Sequence, residues 1–248
     1  MEFHPGKCQL LSIITNKNKI FQNDYTIHGT RLERTDAAKY LGVVIDRSLT
    51  WKKQYNQINQ KASKILGLLK RNFSHCPTSV KSQCYTTLVR PILEYGCSVW
   101  DPHHQVDIDF LERVQKRGAR FVTNNYCMES GNSEKNLKTL GWATLEERRI
   151  RNKLTYFQKA RLKLIDIPTE HLRLKTRPTR LGGDGPAYFR EYSGIDGHRF
   201  SFFPDSTNIW NHLPCSVRTC EDMDSYSTQI QQLNLTALRY DTRAVQKL

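Results

Sequence analysis

Lys39-Tyr40-Leu41-Gly42-Val43-Val44-Ile45-Asp46, followed within five residues by Trp51, decides the fold class of this 248-residue chain. These residues are apolar and β-branched enough to read as a largely buried strand, with Gly42 allowing a neighbouring backbone to come close. From residue 49 the period changes. Trp51, Tyr55, Ile58, Ala62, Ile65 and Leu69 recur at steps of four, three, four, three and four, one apolar stripe of an amphipathic helix. The chain passes from strands to helices at this junction.

Upstream, Cys8–Thr15 is a short apolar run, and Tyr25–His28 and Arg31–Glu33 flank a turn at Gly29-Thr30, which suggests a hairpin. Strands without a covering layer leave one face wet, so this opening reads as part of a sheet whose remainder lies elsewhere. Downstream, Val80, Cys84, Leu88, Ile92 and Tyr95 form a second stripe, with Pro91 expected to kink or divide the helix. Ile108, Leu111, Val114, Gly118 and Phe121 mark a third helix. Asp107 and Asp109 sit near its start and Arg113, Lys116, Arg117 and Arg120 follow, in keeping with the helix dipole.

Ser133–Leu140 reads as a short helix stopped by Gly141, and Thr144-Leu145-Glu146-Glu147 as a capping box opening a helix to about Leu164. Residues 173–199, rich in Arg, Gly and Pro, read as loop. Phe202-Phe203-Pro204, Ile209-Trp210-Asn211 and Leu213-Pro214 then form an aromatic docking patch before a last helix over 224–238. The fold class is α+β, mostly α: a small antiparallel sheet over residues 1–48, a helical bundle over 49–126, a helical connector over 127–172 and a loop-rich, partly helical region over 173–248.

The net charge of +14 favours a polyanionic partner, and the excess is densest in the middle, where residues 51–125 hold twelve Lys/Arg against five Asp/Glu. The simpler reading of that charge is a solvated cationic surface. Seven cysteines include no C-x-x-C pair and read as reduced thiols of an intracellular protein, cytoplasmic or nuclear. His75, Cys76, Cys84, Cys97, His103 and His104 match no metal module in their spacing, so no metal site is assigned. No apolar run approaches the ~18–20 residues of a membrane span.

Tyr40 to Asp46 with Trp51, Tyr85-Thr86-Thr87-Leu88-Val89-Arg90-Pro91-Ile92-Leu93-Glu94-Tyr95-Gly96, and Trp100-Asp101-Pro102-His103 together resemble the palm end and thumb of a non-LTR (LINE-type, jockey-like) retrotransposon reverse transcriptase. The likeness is strongest over 36–126, good over 137–165, and returns at Phe202-Phe203-Pro204 and Trp210-Asn211-His212-Leu213-Pro214. Three departures stand out. Gly118 replaces the usual alanine, Asp205 replaces the arginine expected after Phe-Phe-Pro, and Cys127–Asn132 matches poorly, drift that suits a decayed element copy.

Such enzymes hold two Mg2+ ions on aspartates, one pair of them in an aromatic-x-Asp-Asp hairpin. This sequence contains no Asp-Asp pair, and Glu221-Asp222 lies in the wrong context. The resemblance therefore implies that the catalytic aspartates belong upstream of residue 1, that no residue here is catalytic alone, and that Mg2+ would serve the intact enzyme. It places Lys7 near the nucleotide phosphates, in a position to protonate the leaving pyrophosphate; the alternative is a surface lysine at a strand start. It makes Tyr40, Leu41 and Gly42 a primer grip, a role compatible with a core strand. It makes Lys52, Lys53, Lys61, Lys64, Lys70 and Arg71 a thumb helix tracking the backbone of RNA or an RNA–DNA hybrid, read by shape and phosphates.

Arg113, Lys116, Arg117 and Arg120 form a second basic ridge, and Arg148, Arg149, Arg151 and Lys153 another. Trp51, Trp100, Trp142 and Trp210 read as core rather than as base-stacking residues. The partners implied are RNA or RNA–DNA hybrid and the upstream polymerase region. Two competing readings remain: a stand-alone nucleic-acid-binding module, and a helical interaction protein or translated relic.

Overall fold

The computed structural model describes residues 4–13, 23–127, 129–175 and 185–244. The chain divides into two units, residues 1–60 and 61–248. It is α+β and mostly α, as the sequence pattern indicates.

The first unit holds β1 (Gln9–Leu11), β2 (Thr26–Ile27), β3 (Thr30–Arg31), β4 (Glu33–Thr35), β5 (Ala37–Tyr40) and β6 (Val43–Asp46). They form three two-stranded pairings rather than one antiparallel sheet: β1 with β4 is parallel, while β2–β3 and β5–β6 are antiparallel. The first hairpin turns at His28-Gly29, one residue earlier than the sequence suggests.

A larger correction concerns Lys39–Asp46, which is a hairpin and not one strand. Tyr40 pairs with Val43, so Leu41 and Gly42 make a two-residue turn with φ of 46° and 87°. Both central residues are left-handed, the geometry that matches strand twist, and Gly42 meets it without a side-chain clash. Tyr40 and Leu41 are consequently 67% and 73% exposed, while Val43 and Asp46 face inward.

Gln54 Oε1 accepts from Val44 N–H at 2.9 Å and ties this hairpin to the first turns of α1 (Lys52–Asn72). Asp46 organises the joint, accepting from the backbone and hydroxyl of Ser48 (2.9 and 2.8 Å) and of Thr50 (3.2 and 3.1 Å). Burial works to raise the Asp46 pKa, and these hydrogen bonds more than offset it.

The second unit begins within α1 and continues through α2 (Thr78–Cys84), a π-turn (Tyr85–Val89), α3 (Arg90–Glu94), α4 (Cys97–Trp100), α5 (Gln105–Thr123), α6 (Asn132–Thr139) and α7 (Leu145–Arg161). The α1 and α5 stripes pack as their spacing predicts. The stripe following Pro77 does not. Val80, Leu88 and Tyr95 are exposed, and the buried set lies one or two residues later at Lys81, Tyr85, Val89, Leu93 and Cys97.

The expected set steps by four, four, four and three and the buried set by four throughout, spacings too alike for sequence alone to choose between them. A strict step of four drifts round an α-helix of ~3.6 residues per turn, and the wider π-turn winds it back. Pro91, which has no N–H to donate, follows that turn, where Arg90 N–H reaches Tyr85 O.

Tyr85 is then locked in place. Its ring stacks on Trp142 (centroids 4.6 Å apart, 16° between planes), and the Arg90 guanidinium lies 5.0 Å from the Trp142 centroid. On its other side is Gly118, where a Cβ would sit 2.4 Å from Tyr85 Cε2. Glycine here costs α5 helix propensity but admits the ring.

α7 runs between two cores. Leu145 packs with Leu66, Val89 and Val114, while Ile150, Leu154 and Phe157 pack with Trp210, Tyr226 and Leu235. Its N-terminus is capped twice: Thr144 Oγ1 accepts from Glu147 N–H at 3.1 Å, and Glu112 Oε1 accepts from Glu146 N–H at 2.8 Å. After the short α8 (Asp196–Arg199), the expected docking patch proves to be α9 (Phe202–Asn211), with Ile209 and Trp210 fully buried. α10 (Cys215–Arg218) follows. The final helix expected over 224–238 is two, α11 (Met223–Gln231) and α12 (Leu235–Ala244).

Between the cores lies a buried ion cluster. Asp101, after α4, accepts from Arg149 Nε (3.0 Å), Lys153 Nζ (2.9 Å) and Arg239 Nη2 (2.9 Å). Asp205 on α9 accepts from Lys153 at 2.6 Å. Burial alone would raise the Asp101 pKa, but Arg239, Lys153 and Arg149 hold it far below the usual carboxylate range.

Two outcomes follow from this packing. Gly118→Ala, which propensity alone would make stabilising by about 0.5–1 kcal/mol, is expected to destabilise by about 1–3 kcal/mol in urea unfolding, because the methyl group overpacks the Tyr85 ring. Asp101→Asn is expected to cost about 3–5 kcal/mol at pH 7 by leaving buried cations uncompensated. A depressed carboxylate pKa stabilises fully above the unfolded value of about 3.9 and loses that contribution as pH falls towards the folded value. The acid limb of the stability–pH profile is therefore flatter in Asp101→Asn than in the parent chain.

Candidate nucleic-acid interface

The cationic side chains fall into distinct environments. Lys7 is exposed at the end of a 3-10 turn (Pro5–Lys7), and Lys52 and Lys53 are exposed on the first turn of α1; all three belong to the first unit, as do Tyr40, Leu41 and Gly42. Lys61, Lys64 and Arg71 are exposed on the part of α1 in the second unit, and Lys70 is half-buried.

There α1 and α5 bring their charges together. Arg117 Nη2 donates to Ser63 Oγ at 2.7 Å, and Arg120 Nη2 donates to Ser133 Oγ at 3.1 Å on α6. Lys70 Nζ stands 5.9 Å from the Tyr126 ring centroid. Partial burial first, then the neighbouring Arg117 and Arg120 guanidiniums, push the Lys70 pKa below the ordinary lysine value. Like charges held together by rigid helices raise the local potential, and an oxyanion among them relieves the repulsion.

Lys116 and Arg113 stand apart from this convergence. Lys116 Nζ pairs with Glu134 Oε1 at 2.7 Å, and Arg113 lies over the Phe110 ring at 5.5 Å with its Nε donating to Asp109 O at 3.3 Å. The ridge expected over 148–153 does not exist as a cationic face. Arg149 and Lys153 point into the ion cluster, Arg148 pairs with Glu94 (Nη2 to Oε2, 3.1 Å), and Arg151 pairs with Glu147 at 2.7 Å. Acidic partners remote in sequence hold Arg148, Arg149 and Lys153, a choice that no local pattern encodes, whereas Arg151 and Glu147 are an i, i+4 pair on α7.

The tryptophans are mainly core, with Trp100 and Trp210 fully buried and Trp51 and Trp142 half-buried. Ser63 and Tyr126 join the site without having been singled out by sequence. Ser63 lies seven residues before Lys70, two helical turns along the same face, a signal available to a reading that follows the helix face rather than the charges.

Among the described residues no group of three or more His, Cys, Asp or Glu could hold a metal ion, and no helix is long and apolar enough to cross a membrane.

A 92-residue stretch of the chain is 34% identical to the probable RNA-directed DNA polymerase from transposon X-element of Drosophila melanogaster. The match covers 36% of this chain and 10% of that protein. No family model matches, and no solved structure does. The chain thus contains a region related to a transposon-encoded RNA-directed DNA polymerase.

The like-charge contact has a direct readout. Replacing Arg117 and Arg120 together by Gln is expected to raise the Lys70 amine pKa towards the ordinary lysine value, followed by NMR titration of the side-chain amine. An unmoved titration midpoint would mean that the three charges do not share one site.

Proposed function

We propose that this chain is the palm end, thumb and following region of a non-LTR retrotransposon reverse transcriptase, and that it contributes duplex-holding surface rather than catalytic carboxylates. In this reading α1 and α5 grip the phosphate backbone of RNA or an RNA–DNA hybrid through Lys61, Lys64, Lys70, Arg71, Arg117 and Arg120. Arg113 and Lys116 flank it, and Lys52 and Lys53 of the first unit are phosphate contacts of their own. The hairpin tip at Tyr40, Leu41 and Gly42 presents an exposed ring and backbone to a primer end, and Lys7 sits by the nucleotide phosphates of the intact enzyme. Without an Asp-Asp pair, the chain alone makes no DNA.

The observation that carries the proposal is that Arg117 on α5 reaches Ser63 on α1 at 2.7 Å, with Arg117 and Arg120 near enough to Lys70 to act on its charge. Such a set suits phosphates, which position a duplex without reading its bases. The kinship to a transposon polymerase over part of the chain supports the same reading. A stand-alone nucleic-acid-binding module would use the same face, and differs only in needing no upstream polymerase region.

Hybrid binding measured across salt concentrations tests it. The parent chain is expected to lose affinity steeply between 50 and 200 mM salt, on the order of 10³-fold for several phosphate contacts. Lys61→Ala/Lys64→Ala/Lys70→Ala/Arg117→Ala is expected to weaken binding to every sequence alike and to flatten the log–log slope by about 0.7–0.9 per contact removed. Unchanged affinity and slope in that variant would sink the thumb assignment and favour a helical interaction protein.

A further inference from the structure

Beyond the basic face of α1 and α5, the second unit carries a cleft of about 450 Å³ on the segment entering α8 and α9, lined by Arg190, Glu191, Tyr192, Ser193, Gly194 and Arg199. From this cleft we infer a second binding site, one that takes a single nucleotide unit with an unpaired base, its phosphate held by Arg190 and Arg199 and its base stacked on Tyr192.

The volume falls within the range of small-ligand sites, about 300–1,000 Å³, and can hold one nucleotide. Arg190 is half-buried, and Arg199 stands near enough to act on it electrostatically. Burial first, and then Arg199, press the Arg190 guanidinium towards a less favourable charged state, against the pull of Asp205. Two guanidiniums lining one concave surface match a phosphate, which each can bind through a planar fork of donors. Among the described residues the Arg190 guanidinium has a long contact of 3.5 Å from Nη1 to Asn208 Oδ1, which leaves donors of its fork for a ligand.

The acid on this wall is turned to other partners. Glu191 Oε1 is 2.9 Å from His171 Nδ1, and its Oε2 is 3.5 Å from His198 Nε2, so both carboxylate oxygens face imidazoles. Ser193 Oγ is likewise engaged with its own loop, accepting from Ile195 N–H at 3.1 Å.

Tyr192 decides the class of ligand. It is 97% exposed, the most exposed large hydrophobic side chain among the described residues, although it sits on the lip of a cleft. A ring with so little packing of its own offers a face to a base, and only an unpaired base has a face to return. A duplex, with its bases stacked inside, satisfies the arginines and not the tyrosine. The cleft therefore distinguishes itself from the α1–α5 face by preferring single strands or free nucleotides, and its existence does not depend on the thumb reading.

The test uses the full chain with a fluorescein-labelled ten-nucleotide oligo(U), adenosine monophosphate as competitor, and an RNA–DNA hybrid as control. Tyr192→Ala is expected to weaken oligo(U) binding on the order of tenfold to a hundredfold, with hybrid binding and the salt slope unchanged, because the ring carries no charge. Tyr192→Phe keeps the stacking face and is expected to restore affinity. Arg190→Gln with Arg199→Gln is expected to flatten the salt slope for oligo(U) and spare the hybrid.

Competition by the free nucleotide would identify a nucleotide pocket, and competition only by longer strands a strand-guiding site; both support the inference. Oligo(U) affinity unaltered by Tyr192→Ala would overturn it. Equal losses for oligo(U) and hybrid would overturn it too, by assigning the cleft to general electrostatics. Failure of the α1–α5 variant to weaken hybrid binding would leave these outcomes untouched.

Discussion

The Asp101 carboxylate is the constraint on which the helical unit depends. It gathers Arg149 and Lys153 from α7 and Arg239 from α12, while Asp205 brings in α9 through Lys153. Removing such charges from water is costly, and a buried cluster is rarely a source of net stability compared with apolar packing. What it supplies is specificity: each cation has a partner only when these helices dock in one arrangement. Residues after 200 are consequently part of the helical body and not an appendage, since Arg239 and Asp101 meet at 2.9 Å in its interior.

Asp205 and Gly118 each have a structural reason. An arginine in place of Asp205 would face Lys153 and Arg239 with one carboxylate fewer, so the acid at this position completes the cluster. Gly118 is matched in the same way to Tyr85, whose ring occupies the space a methyl group would need. Each departure has a compensating partner elsewhere in the chain.

The cationic residues divide by the same logic of partners. Those with acidic neighbours, such as Arg148, Arg151 and Lys116, spend their charge within the protein. Arg117 and Arg120 act on Lys70 instead, and their like charges disfavour its protonated form. Charge density along the sequence marks the general region. Which groups stand beside each cation, carboxylates or other cations, is decided by the fold.

The sequence by itself determined the change of period at residue 49, the α1 and α5 stripes, the stop at Gly141 and the Thr144 cap, because each rests on residues within a turn or two of one another. Tertiary structure decided which of two similarly spaced faces of the Thr78–Trp100 segment is buried, since the π-turn and the fit of Tyr85 against Gly118 favour one of them. It also decided that Lys39–Asp46 folds back on itself, that Arg149 and Lys153 point inward, and that Arg190, Tyr192 and Arg199 line one cleft. Lys153 finds Asp101 from 52 residues away. Periodicity and caps are local interactions that a sequence displays directly. The fate of a charge or a ring depends on which remote group the fold brings within a few ångströms, and that is fixed only when the whole chain has packed.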